Sequence, residues 1–106
     1  MKINATTVDR NLLLECRGEL DHSGAKGAMR ELDLAIDAAL PLRLVLDFSG
    51  ITFMDSSGIA LILRAHHKMQ LFGGNLVLCN VPSQAMRVLD AAGISRIVTI
   101  RQEERQ

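Results

Sequence analysis

The period of the apolar residues switches repeatedly along this chain, and that switching limits its fold more than any other feature. Ala25, Ala28, Met29, Leu32, Ala35, Ile36 and Ala39 recur every three or four residues. That spacing puts them on one face of a helix from about Ser23 to Leu40. Asp21 or Ser23 can cap its start, because a short side-chain oxygen satisfies a free backbone N–H there, and Pro41 ends it. Leu42 to Phe48 is instead a short run, apolar but for Arg43 and Asp47, the pattern of a strand covered on both faces. Ser49 to Asp55 reads as a loop. A second helical stretch begins at Ser56 or Ser57 and runs to about Phe72, with Ile59, Ile62, Leu63, His66 and Met69 on its buried side. Gly73-Gly74 stops it.

The alternation continues to the end of the chain. Leu76 to Cys79 reads as a buried strand. Pro82-Ser83 opens a third helix with Ala85, Val88, Leu89 and Ala92 facing inward, and Gly93 closes it. Ile97 to Ile100 makes a last strand. Two extended runs, Lys2 to Val8 and Asn11 to Arg17, precede all of this, and Asp9-Arg10-Asn11 is a turn that lets them pair as a hairpin. The predicted order is β-β-α-β-α-β-α-β in one α/β domain over residues 1–106. The later strands are parallel through right-handed crossovers and the hairpin makes the sheet mixed.

Composition narrows the function. Hydrophobic residues make up 48% of the 106, enough for a core, yet aromatics are only 3%, so base-stacking platforms are missing. Twelve basic residues balance twelve acidic ones, which leaves no basic field for nucleic acid or anionic lipid. The mixed-charge tail Arg101 to Gln106 reads as a frayed, solvated end. Cys16 and Cys79 each sit in an apolar run and read as small buried hydrophobes. No CxxC occurs, so no metal site is expected. Without a signal-peptide pattern or a membrane-length apolar run, the expected location is the cytoplasm.

The most informative stretch is Thr52-Phe53-Met54-Asp55-Ser56-Ser57-Gly58, where strand and loop hand over to a helix N-terminus. Unpaired N–H groups and the helix dipole let such an end tolerate an anion. Ser56 can therefore accept a phosphate without loss of the fold. Equally, Ser56 or Ser57 can be a plain N-cap beside Asp55. A hydrolase elbow needs glycine where Met54 stands, and His66 and His67 lie about three turns down the helix. His22, in a loop, is a lone polar group. No GxGxxG or GK[ST] occurs. Asp21, Asp47 and Asp55 could converge at the strand ends as in a phosphate receiver, but no lysine is placed to join them.

The stretch Leu46-Asp47-Phe48-Ser49-Gly50-Ile51-Thr52-Phe53-Met54-Asp55-Ser56-Ser57-Gly58 resembles the signature of the bacterial anti-sigma factor antagonists, the STAS-domain family. Gly18-Glu19-Leu20-Asp21, Gly73-Gly74-Asn75-Leu76-Val77-Leu78 and Leu89-Asp90-Ala91-Ala92-Gly93-Ile94 resemble further family blocks in the same order. The resemblance implies a non-catalytic antagonist whose unphosphorylated form binds an anti-sigma factor and frees a sigma factor. That anti-sigma factor would be a serine kinase of the histidine-kinase-like ATPase fold, phosphorylating Ser56, with a PP2C-type phosphatase reversing the step. Asp21, Asp55, Ser56, Ser57 and Gly58 are the implied partner-binding patch; no cofactor is implied. Ala60 stands where the family often has a second glycine. The alternative is a non-phosphorylated STAS accessory subunit of a transport complex, docking its partner constitutively through the same surface.

Overall fold

The computed structural model describes residues 1–102. Five strands and three α-helices follow in the predicted order: β1 (Lys2–Val8), β2 (Asn11–Leu20), α1 (His22–Ala39), β3 (Arg43–Met54), α2 (Ser56–Leu71), β4 (Asn75–Cys79), α3 (Ser83–Ala91) and β5 (Thr99–Arg101), with a 3-10 turn Ile94–Arg96 before β5. The sheet runs β1-β2-β3-β4-β5. Only β1–β2 is antiparallel, joined through Asp9 and Arg10, with Asp9 at φ 55°; β2–β3, β3–β4 and β4–β5 are parallel. Because each parallel strand is added on the same side of the last, right-handed crossovers put every helix on one face of the sheet.

A single core follows from that layering. Leu12, Leu14 and Cys16 of β2 and Leu44, Leu46 and Phe48 of β3 meet Leu32 and Ile36 of α1, Leu61 and Ile62 of α2, and Leu89 of α3. The other face of β3 is only half-covered, at Val45 and Asp47, so the strand is not enclosed on both sides as its apolar run suggested. With aromatics scarce, aliphatic side chains and Met54 and Met69 fill the interior.

The largest departure from the sequence reading is the stretch 49–55. It is strand up to Met54, because β2 extends alongside it as far as Leu20. The register shifts between Glu15 and Arg17 and again between Gly18 and Glu19. A bulge of this kind breaks the period of two, so the buried positions run Phe48, Ile51, Met54 instead of alternating. The buried face of α2 is Gly58, Leu61, Ile62, Ala65 and Met69. Leu63 is exposed, and Ile59 and His66 are only partly buried. The nearly continuous apolar run Ile59 to Leu63 leaves the phase of the face open, and fully buried Leu61 with the small Gly58 and Ala65 sets it. Ala92 is exposed rather than inward.

Near the chain's end, Ile94 and Val98 are buried four residues apart, a helical spacing. Ile97 is therefore turned outward and strand pairing starts only at Thr99. Arg101 pairs with Cys79, so the expected frayed end is strand at that residue. Gln102 is held through its side chain by the Val81 backbone, and residues 103–106 lie outside the described residues.

Candidate functional site

Two helices begin at the same end of the sheet because their preceding strands are neighbours. Leu20 and Met54 are paired partners on β2 and β3, and the Asp55 amide donates to the Leu20 carbonyl at 3.3 Å. Asp21 and Asp55 come next in the chain, and each is an N-cap in extended backbone. Asp21 Oδ1 accepts from the Gly24 amide and Asp55 Oδ1 from the Ser57 amide, each at 2.8 Å. Of the two caps considered for α1, Asp21 is the one used. At α2 the cap is Asp55, so neither serine serves that role.

Ser56 is the first residue of α2 and is exposed. Among the described residues no hydrogen bond engages its hydroxyl. Ser57 is half-buried and turns toward a groove of about 240 Å³ between α1 and α2, shared with His22, Ala25, Lys26, Met29 and Ala60. Gly58 is buried where α2 crosses β3. A Cβ there would strike the Met54 side chain, with Sδ at 2.6 Å, and would meet Leu20 Cδ2 at 3.0 Å. Gly24 is equally constrained, since a Cβ would run into the Glu19 carbonyl oxygen. Both helix entries therefore need glycine for close approach.

The five residues singled out from the sequence, Asp21, Asp55, Ser56, Ser57 and Gly58, thus gather at one end of the domain. Asp47 does not join them. It pairs with Cys79 well before the end of β3, and its Oδ1 accepts from the Ser49 amide at 2.9 Å. His22 is the first residue of α1 rather than part of a loop. No group of three or more metal-ligating side chains occurs among the described residues. Among the described residues no helix is long and apolar enough to cross a membrane.

Sequence reasoning missed three neighbours of this end. Phe53 is 43% exposed beside the Met54–Asp55 junction, visible only once residues 49–54 are known to be strand. Lys26 reaches the groove from α1. Gln84, from α3, grips Met54: its Oε1 accepts from the Met54 amide at 2.9 Å and its Nε2 donates to the Met54 carbonyl at 2.8 Å.

Chemically, the end offers the exposed Ser56 hydroxyl on a fixed backbone. The α2 amides and dipole favour negative charge, while Asp21 and Asp55 already bring two carboxylates to the patch. A phosphate on Ser56 would add roughly 1.5 to 2 negative charges to that surface.

Comparison with known proteins gives the same outline. The family model described as "STAS domain" matches residues 2–106. The chain is 32% identical over 93 residues to the anti-sigma F factor antagonist of Paenibacillus polymyxa, covering 88% of this chain and 80% of that protein. Its fold superimposes on the anti-sigma factor antagonist SpoIIAA in its unphosphorylated form with a TM-score of 0.82, at 22% identity, covering 97% of this chain and 89% of the other. For the phosphorylated form of the Bacillus cell fate determinant SpoIIAA the TM-score is 0.74, also at 22% identity, covering 97% and 92%.

Proposed function

The chain belongs to the STAS domain family, and on that premise we propose that it is an anti-sigma factor antagonist switched by phosphorylation of Ser56. The unphosphorylated form docks an anti-sigma factor through Asp21, Asp55, Ser56, Ser57 and Gly58, and the sigma factor held by that partner is released. The partner is a serine kinase of the histidine-kinase-like ATPase fold, which ends the interaction by phosphorylating Ser56. A PP2C-type phosphatase restores the docking form. The chain is then substrate and ligand, not catalyst, and works in the cytoplasm without touching nucleic acid.

One observation carries this reading. Ser56 is exposed at the start of α2, while the capping duty a serine there would ordinarily perform belongs to Asp55. Its hydroxyl can be modified without cost to the helix. The name of the Paenibacillus polymyxa relative supports the antagonist role, and the two forms of SpoIIAA support phosphorylation as a state compatible with this fold.

The energetics suffice for a switch. Placing an unpaired charge in a packed interface typically costs about 2–5 kcal/mol, and each 1.4 kcal/mol is about tenfold in affinity. One phosphate therefore weakens docking on the order of a hundredfold without refolding. Mass spectrometry after incubation with the anti-sigma kinase tests the assignment: phosphate on Ser56 supports it, and phosphate on Ser57 or Ser83 overturns it.

A further inference from the structure

Past Asp47, β3 outruns its neighbour on one side. β4 ends at Cys79, opposite Asp47, so residues 48–54 of β3 have no strand partner there. In a parallel strand the N–H and C=O of one residue point to the same side, so the free pair on Met54 faces the space that β4 has left. Gln84, the second residue of α3, occupies that space. Its carboxamide accepts from the Met54 amide and donates to the Met54 carbonyl at 2.9 and 2.8 Å, reproducing with one side chain the bonds of a missing strand. The Met54 side chain is fully buried and lies over Gly58. Met54 is thus held through its backbone by Gln84 and through its side chain by the start of α2.

We propose that Gln84 is a positioning residue for phosphoryl transfer to Ser56, fixing the last residue of β3 so that the hydroxyl two residues on is presented in one place. This rests on the reading of Ser56 as the phosphorylated residue. In that transfer Ser56 Oγ forms a bond to the terminal phosphorus of a nucleoside triphosphate held by the kinase. The bond to the departing diphosphate breaks, and the hydroxyl proton leaves to a base on the kinase. Gln84 touches none of these atoms. It limits how far Met54, and hence the Asp55 cap, wanders from the orientation the kinase needs. Transfer rates are steep in such placement, with about 1 Å of displacement able to cost on the order of a hundredfold.

The molecule supplies its own control. Gln102 clamps Val81 in the same manner, with its Oε1 accepting from the Val81 amide and its Nε2 donating to the carbonyl, both at 2.7 Å. That clamp holds the β4–α3 connection and makes no bond to Met54, so its loss reports the general cost of removing a glutamine–backbone pair.

The test uses the full chain as Gln84→Met, which keeps the side-chain volume and removes both hydrogen bonds, beside Gln102→Met. Phosphorylation is followed with the anti-sigma kinase and a nucleoside triphosphate. Gln84→Met is expected to lower kcat by about tenfold or more with KM within about twofold, while Gln102→Met leaves both at wild-type values. Equal kcat for Gln84→Met and wild type overturns the proposal, as does an equal loss in both variants. If the wild-type chain takes no phosphate, the Ser56 reading itself fails. Amide hydrogen exchange at residues 55–57 then decides the positioning role: faster exchange only in Gln84→Met supports it, and unchanged or matched exchange in the two variants overturns it.

Discussion

Asp55 and Ser57 are joined by a 2.8 Å hydrogen bond from the Ser57 amide to the Asp55 carboxylate, and Ser56 sits between them outside that bond. The helix start is therefore held by the residues on either side of the serine. Structural duty and chemical availability are divided among three consecutive residues.

The first consequence concerns stability. Asp55→Ala is expected to destabilise the domain by about 1 kcal/mol, the usual worth of an N-cap. Asp55→Asn, which keeps an accepting oxygen, should cost much less. Ser56→Ala should stay within about 0.5 kcal/mol of wild type, because an exposed side chain without bonds is being trimmed. Urea unfolding of the three variants checks the division. A Ser56→Ala loss as large as that of Asp55→Ala would mean the serine is a cap after all.

Two glycines within helices should respond in opposite directions. Gly27 in α1 has nothing within 4 Å of a built Cβ, so Gly27→Ala should stabilise by about 0.5–1 kcal/mol through helix propensity. At Gly58 the Cβ would press on Met54 and Leu20, and overpacking of about 1–3 kcal/mol outweighs any propensity gain. Thermal unfolding midpoints should rise for Gly27→Ala and fall for Gly58→Ala.

Much of this architecture is legible in the sequence, because the switch between periods of two and of three to four marks each element. The length of β3 is not. Ser49-Gly50 looks like a turn, and the bulge against Arg17 and Gly18 breaks the alternation that would have given the strand away. The α2 face is legible only in part, since residues 59–63 are all apolar and cannot fix its phase, which Leu61 and the small Gly58 and Ala65 decide. At the site, Asp55-Ser56-Ser57-Gly58 is contiguous and can be found by reading. Gln84 lies 30 residues from Met54, and nothing in Pro82-Ser83-Gln84 signals that its carboxamide completes a distant strand.

Acid should loosen the contact between α1 and α2. Arg64 meets Asp33 at 2.6 Å and Lys68 meets Asp37 at 2.8 Å across the two helices. The hydrogen bond from Arg64, with the charges of Lys68 and Arg64, holds the Asp33 carboxyl below the ordinary carboxylate value despite partial desolvation. A carboxyl depressed in the folded state gives stability that is present above its unfolded pKa of about 3.9 and is lost as pH falls through the folded value. Asp33→Asn should therefore unfold at a slightly lower temperature than wild type at pH 7, and the gap should close as acid protonates Asp33 below the ordinary carboxylate range. A gap that stays constant across the titration would contradict this. Half of the Arg64 side chain is in water, so the effect is modest.

Cys16 should be chemically silent in the folded chain. Burial first, then the charges of Asp47 and Glu31, push its thiol up to about 12, so the reactive thiolate is scarce at neutral pH. Alkylation of Cys16, followed by mass spectrometry at pH 8, should proceed only after urea unfolds the domain. Labelling at a comparable rate in the native chain would show that the β2–α1 interface opens locally.

The most direct measurement is the affinity of the anti-sigma factor for four forms of the chain: wild type, Ser56→Ala, Ser56→Asp and the Ser56 phosphoprotein. A switch by charge at the start of α2 predicts that wild type and Ser56→Ala bind alike. Ser56→Asp should bind weakly, and the phosphoprotein about a hundredfold more weakly than wild type, with all four unfolding at similar temperatures. Equal binding by the phosphorylated and unphosphorylated chains would contradict it.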